Sequence, residues 1–566
     1  PRPGAHPPSR APAPPPPPTS CRPPPPAPTR PEDTRRCAPY PNSATPPTIC
    51  VLIRHVTAIA IQIPSEHTEK IKINQHLKSP PRRRYDTSAV IILILPESPG
   101  KADWDEIHYG GILQQRLKRQ LRRAGAAATL ITDLPNEKGT RVILARPRGD
   151  QSPFEILTLA RKLSEQAIVN DPSTLLVHIS GLDSTASSGI CEALIAGLLA
   201  AVSPMPSFKQ RTDRQYSLKR SEIFGLERKI DVSRTRAGNL GNHLARWLTM
   251  LPSNKLTPSS YLRLVKRMAQ AEGWQMDFLD TRALARKKAG AFLAVAQASP
   301  VADAGVVHLQ YRPARSKTGR PSLALIGKGI CFDTGGVNIK PARHMNGMQE
   351  DMAGSAVALG TLLALSRLRV DFPVDCWLAL AQNHIGPRAY KPNDVVTACN
   401  GTTIEVIHTD AEGRMVLADA LALASRRKPS LMIDYATLTG ACVYALSTRY
   451  SGIFSNRDSL LADIIGAGRD SGERLWPFPA EEDYDEALDS KIADIRQCTL
   501  EGEADHILAA RFLNRFVGEE CAWLHIDLAA GNHKGGLAHI PTDTTGFGVR
   551  ASLDMLLDKV ILEKIQ

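Results

Sequence analysis

The stretch IGKGICFDTGGVNIKPARHMNGMQEDM, residues 326–352, decides the fold. With the four residues before it, it opens on SLALIGKGICF (322–332), where aliphatic and β-branched side chains dominate and glycines end the run, as in a buried strand. Lys328 and Asp333 stand where that strand runs out, and open α/β sheets carry their sites at the carboxyl ends of strands. Asp351 stands just ahead of MAGSAVALGTLLALSRL (352–368), whose small and apolar spacing predicts a buried helix, so its carboxylate lies at the helix's positive end.

HTDAEGR (408–414) repeats the device. IEVIHTD (404–410) predicts a strand and GRMVLADALALA (413–424) a helix, with Asp410 and Glu412 in the turn between them. Four carboxylates in one crevice would repel one another and take up protons unless cations neutralise them. Two divalent ions balance four negative charges, and oxygen ligands suit Zn²⁺ or Mn²⁺ in a two-metal site with the ions roughly 3.5–4 Å apart.

KGICFDTGG, IKP, EDM and TDAEGR resemble the leucine aminopeptidase (cytosol aminopeptidase) family of dinuclear metallo-exopeptidases. The resemblance covers residues 230–566 well, 86–229 weakly and the first 85 not at all. It implies a metal-dependent aminopeptidase that removes the N-terminal residue of peptide substrates, with apolar residues such as leucine favoured. It further implies that Asp333 and Glu412 bridge the two metals, that Asp410 completes one site, and that Lys328 and Asp351 complete the other. A lysine ligates only as a free amine, so the dications must drive off its proton. Lys340 and Arg414 match the family's catalytic cations: Lys340 would polarise the scissile carbonyl, and Arg414 would hold a bicarbonate acting as general base. Met348, Thr437, Leu438 and Gly440 match its substrate-pocket positions. A homo-hexamer and a saddle-shaped, eight-stranded mixed sheet flanked by helices are implied as well.

Outward from these motifs, 566 residues predict more than one domain. Three segments are expected: a Pro/Arg-rich tail and linker over 1–85, an N-terminal α/β layer domain over 86–229, and a catalytic α/β domain over 230–566. Residues 1–48 hold 20 of the 44 prolines and lack the apolar periodicity of a core, so disorder or polyproline II is expected. A strand pair is expected at 50–63 and a further linker at SPPRRRYD (79–86). Then SAVIILIL, AATLITDL, RVILARP and STLLVHISGL read as strands, and ILQQRLKRQLRR, FEILTLARKLSEQAI and GICEALIAGLLAAV as helices. This half carries no ligand cluster and no phosphate loop, which points to a scaffold that helps assembly. A helix over 232–252 leads into the second half, where TPSSYLRLVKRMAQAEG has a threonine N-cap and a proline in the first turn. Strands AGVVHLQYRP, VDCWLALAQNHI, SLMIDYATL and AWLHIDLAA follow the same rhythm.

No run approaches 18 apolar residues, so no membrane span is expected. Ten cysteines without a CxxC pair favour a reducing, cytoplasmic compartment over organelle targeting by the tail. The net charge of +13 falls largely on the first 90 residues, which hold 13 Lys and Arg against 5 Asp and Glu, so bulk charge gives a nucleic-acid role little support.

Other residues near the motifs get structural readings. His344, His384, His408 and His525 are expected to support the site, not ligate, and Cys331 to face the core side of its strand. Asp419 and Asp434 are expected to be hydrogen-bonded structure, and Arg426, Arg427 and Lys428 to offset a helix dipole. Two departures from the family pattern stand out: His408 replaces the usual asparagine, and QCTLEGEADHILAARFL (497–513) has few of the glycines usual there. Two rival functions remain, a dipeptidase or cysteinylglycine-hydrolysing relative and a noncatalytic DNA-binding relative. Retention of every ligand and both cations speaks against the second.

Overall fold

The computed structural model describes residues 66–124, 129–210, 216–314 and 321–565. The proline-rich segment and the strand pair expected at 50–63 lie outside these residues.

Six strands form a first sheet: β1 (Lys72–Gln75), β2 (Val90–Ile94), β3 (Thr129–Asp133), β4 (Arg141–Ala145), β5 (Thr174–Ile179) and β6 (Arg220–Phe224). Their order is β1-β6-β5-β2-β4-β3, and only β3 runs antiparallel to its neighbour. Every residue of β2 is buried, because Ile92 and Ile94 join one apolar core while Ile91 and Leu93 join another on the opposite face. Helix Ser184–Val202 is apolar and long enough to cross a membrane by composition, yet it is mostly buried against this sheet and packs as a core helix.

Two expectations for this half are corrected. SPPRRRYD is no linker: Arg82–Thr87 is helical, with its arginines facing solvent and Tyr85 buried, its hydroxyl 2.7 Å from His178 Nδ1. Asn136 and Thr140 also donate to the Tyr85 carbonyl, so a basic segment that composition alone assigns to solvent is docked through its one aromatic residue. The sheet also begins inside the segment assigned to the tail, at β1, which pairs with β6. Both strands were hidden by charge and polarity. Glu222 in β6 is buried because Asn74 of β1 and His76 bond its carboxylate at 3.0 and 2.7 Å.

A second sheet starts with β7 (Gln275–Asp280), β8 (Gly305–Tyr311), β9 (Leu323–Asp333) and β10 (Val374–Asn383). The short β11 (Val395–Thr397) and β12 (Thr403–Glu405) belong to a third sheet, the second resuming with β13 (Leu431–Ala436), β14 (Ser451–Ser455) and β15 (Leu475–Pro477). Strand β16 (Ile495–Arg496) completes the small sheet and β17 (Ala522–Asp527) the large one. The large sheet has eight strands in the order β15-β14-β17-β13-β9-β10-β8-β7. Its centre, β17-β13-β9-β10, is parallel, while β14, β8 and β7 pair antiparallel toward the edges. The fold is therefore mixed α/β, with helices Ala353–Arg367 and Glu412–Ser425 buried against the two faces of the central strands.

A bulge in β9 sets the chemistry. Ile330 pairs with Ala381 but Asp333 with Asn383, so three steps of β9 match two of β10. In a regular strand Lys328 and Asp333, five residues apart, would face opposite ways. The bulge removes that conflict, and Cys331 is left in the apolar core as expected.

Of IEVIHTD only Ile404 and Glu405 are in a strand, as the end of Thr403–Glu405 in the small sheet. Val406 still exchanges backbone bonds with Asn393 and Asp394, and beyond it Gln497 Oε1 accepts from the Ile407 and His408 N–H groups, both at 3.2 Å, in place of a neighbouring strand.

Candidate metal centre

Asp333, Asp351 and Glu412 converge at the carboxyl end of β9, each with a carboxylate oxygen within 4.8 Å of the others. All three are buried, as is Lys328. Lys328 Nζ lies 2.7 Å from Asp351 Oδ1 and 2.9 Å from Glu412 Oε1, and donates to the Thr437 carbonyl at 3.1 Å. Asp410 joins through Lys340, whose Nζ lies 2.6 Å from Asp410 Oδ1 and 2.9 Å from Asp333 Oδ2.

Local backbone requirements explain the glycines. The DTGG turn holds Gly335 at φ +85° and Gly336 at φ +66°. A Cβ on Gly335 would fall 2.4 Å from the Asn338 carbonyl and 3.0 Å from Asp410 Oδ1. In TDAEGR, a Cβ on Gly413 would sit 2.6 Å from Lys328 Nζ, so only glycine lets the lysine cross the start of helix Glu412–Ser425.

Charge is unbalanced at this centre, where two ammonium groups face four carboxylates. Burial, with Asp333 adding to it, lifts the pKa of Glu412 and pushes Asp410 up to about 6. Burial also holds Asp351 well above the ordinary carboxylate range, against the pull of Lys328. Burial opposes a charge on Lys328, but Asp351, Glu412 and Asp333 outweigh it and keep its pKa raised. Asp351 Oδ2 and Glu412 Oε2 are buried with no hydrogen-bond partner among the described residues. Orphaned buried carboxylate oxygens beside a surplus of anions are what a divalent cation would satisfy, so the residues present fit a metal.

The surroundings hold the acids in place. Asp333 Oδ1 accepts from Gly335 N and Asn383 Nδ2, both at 2.8 Å. Asn383 also reaches the Thr409 carbonyl at 3.0 Å, which Tyr390 bonds at 2.7 Å. Gln497 spans the Asp410 turn, donating to the Ala411 carbonyl at 2.9 Å while accepting from residues 407 and 408. Sequence reading missed Asn383, Tyr390 and Gln497, since a lone amide or phenol in a long chain carries no spacing signal.

Thr437 Oγ1 donates to Asp351 Oδ1 at 2.9 Å. Met348 opens the short turn Met348–Glu350 that delivers Asp351, Leu438 is half-buried, and Gly440 starts helix Gly440–Leu446 behind the Thr439 cap. Of the histidines, His525 Nδ1 lies 2.6 Å from Asp434 Oδ1 in the core, and His384 and His344 contact Gln382 and Arg343. His408 Nδ1 accepts from Asp410 N at 3.3 Å. Asp419 accepts from Phe292 N and Cys399 N at 2.8 and 2.7 Å. Arg414 is buried and bound to Asp505 Oδ1 at 2.7 Å and the Gln497 carbonyl at 3.1 Å.

Comparison with known proteins agrees with this geometry. The profile of the cytosol aminopeptidase family, catalytic domain, matches residues 243–553. A probable cytosol aminopeptidase of Solibacter usitatus is 37% identical over 439 residues, 76% of this chain and 89% of that protein. One from Syntrophotalea carbinolica is 38% identical over 416 residues, 70% of this chain and 80% of its own length. Among solved structures, a mutant tomato leucine aminopeptidase superposes with a TM-score of 0.77 at 27% identity, covering 86% of this chain and 97% of that one. The bottromycin maturation enzyme BotP in complex with Mn gives 0.71 at 28% identity, covering 84% and 100%.

Proposed function

The chain belongs to the cytosol aminopeptidase family and is a metal-dependent hydrolase that cleaves peptides at their amino terminus; from that premise we propose the residue roles that the centre supports. Lys328, Asp333, Asp351, Asp410 and Glu412 would hold two divalent ions, Mn²⁺ or Zn²⁺. The orphaned oxygens of Asp351 and Glu412 carry this assignment. Bound there, the ions supply Lewis acidity and lower the pKa of a water toward neutrality.

The chain's own groups do the rest. Lys340 reaches the centre from the DTGG turn and is tied to two of the acids. From there its ammonium would polarise the scissile carbonyl and steady the oxyanion. Met348, Thr437, Leu438 and Gly440 form the pocket for the first side chain. Leu438 lies against the apolar core, which suits leucine-like residues. Arg414, paired with Asp505, braces the ligand turn at the start of its helix.

We place the enzyme in the cytoplasm as a homo-hexamer. Exposed Tyr444, Trp476, Ile492 and Leu500 offer apolar surface that assembly would cover. A series of aminoacyl amides and tripeptides tests the activity. Release of the first residue, fastest for leucine-like side chains, is expected, whereas cleavage of dipeptides alone would favour the dipeptidase reading.

A further inference from the structure

Arg414 was expected to hold a bicarbonate, but in the structure its guanidinium is engaged by groups of the chain itself. Its guanidinium, 2% exposed, already carries a carboxylate: Asp505 Oδ1 lies 2.7 Å from Nη2, and Nη1 donates to the Gln497 carbonyl at 3.1 Å. Burial works against the charge on Arg414, and Asp505 is the first influence that sustains it. A single guanidinium charge matched by one carboxylate attracts a second anion weakly, because that anion would also face the carboxylate already in place. Of the Arg414 nitrogens only Nε is left buried and without a partner among the described residues, a single donor where planar carbonate needs a fork.

The chain is built to keep Asp505 there. Asp505 opens helix Asp505–Asn514, where a negative charge is favoured. The residue before it, Ala504, is held at φ +51° in the left-handed region that disfavours residues with a Cβ. Gly502 at φ +73° turns the same loop. This is the segment whose shortage of glycines sets it apart from the family pattern.

We propose that Asp505 is the resident counter-anion of Arg414, so that this enzyme works without external bicarbonate. The proposal rests on the aminopeptidase reading only for its kinetic arm. Asp505 acts through Arg414 as a positioning residue: it keeps a buried cation neutralised and its fork oriented at the start of the ligand-bearing helix.

The test uses the full-length, metal-loaded enzyme in carbonate-stripped buffer, with ¹³C-bicarbonate as probe. Wild type is expected to show no bound ¹³C signal and less than a twofold change in kcat/KM as bicarbonate is added to millimolar levels. Asp505→Ala is expected to bind about one bicarbonate per chain, to lose roughly tenfold in kcat/KM without it, and to recover most of that loss when it is added. If the alanine variant does not fold, Asp505→Asn, which keeps the shape and drops the charge, carries the same test. Stoichiometric bicarbonate binding by wild type, or variants that neither bind bicarbonate nor respond to it, would overturn the proposal. Bicarbonate binding confined to the variants, in a protein with no peptidase activity, would uphold the anion assignment and sink the aminopeptidase reading.

Discussion

At the scale of single residues, the centre is an electrostatic bargain between groups that cannot coexist charged in a dry crevice without help. Ligation requires Lys328 as a free amine, yet its neighbours favour the ammonium, and Asp351 and Glu412 hold protons more tightly than ordinary carboxylates. Metal uptake therefore expels protons, and affinity should fall as pH is lowered. Calorimetry of Mn²⁺ binding in two buffers of different ionisation enthalpy checks this, with net proton release on binding as the expected result. Asn383 bonds both Asp333 and the Thr409 carbonyl, so Asn383→Ala should weaken metal binding or activity about 10–100-fold while the chain stays folded. Metal titration with circular dichroism separates that outcome from simple unfolding.

At the scale of elements, the anionic tips were legible from residue order, but the geometry that aims them was not. The DTGG and TDAEGR strings announce Asp333, Asp410 and Glu412. Nothing in SLALIGKGICF announces the bulge that brings Lys328 and Asp333 to one cluster, because a bulge is decided by the facing strand. IEVIHTD has the composition of a strand but loses its ladder to one distant glutamine. Gly413→Ala should be poorly tolerated despite alanine's higher helix propensity, since its methyl meets Lys328. Loss of metal with helix content unchanged is expected. Another element carries its own titration: Glu473 Oε2 accepts from Gly548 N and Ala551 N at 2.8 and 2.9 Å at the start of helix Val549–Leu557. Burial, against these bonds, pushes its pKa up to about 7 from 4.5. A carboxyl raised on folding lends full stability below its unfolded pKa and loses it as pH rises through the folded value. Stability, read as the melting temperature, should therefore fall between about pH 4.5 and 7, and Glu473→Gln should flatten that part of the curve.

At the scale of the whole molecule, alternating strands and helices were enough to read α/β layers and SAVIILIL enough to read a strand, while its burial on both faces emerged only in the structure. The joint between the two sheets was not readable. Leu537, Ile540 and Phe547, from the chain beyond β17, are buried in the core of the first sheet alongside Leu194 and Leu198. Sequence distance hid this, since 30 or so apolar residues joined across more than 300 positions leave no periodic trace. Phe547→Ala should accordingly destabilise by about 3–5 kcal/mol and loosen both layers together. Hydrogen exchange that rose in β5 as well as around residue 547 is the expected signature. The charge excess of the first 90 residues left the rest only mildly basic, which agrees with an enzyme whose function rests in a buried acidic centre.

The claim on which the whole account depends is that four acids and a lysine at this centre bind a pair of divalent cations. Elemental analysis of fully active enzyme, freed of loosely held metal, measures it directly. Two ions per chain are predicted, and one ion or none in a preparation of full activity would contradict the account.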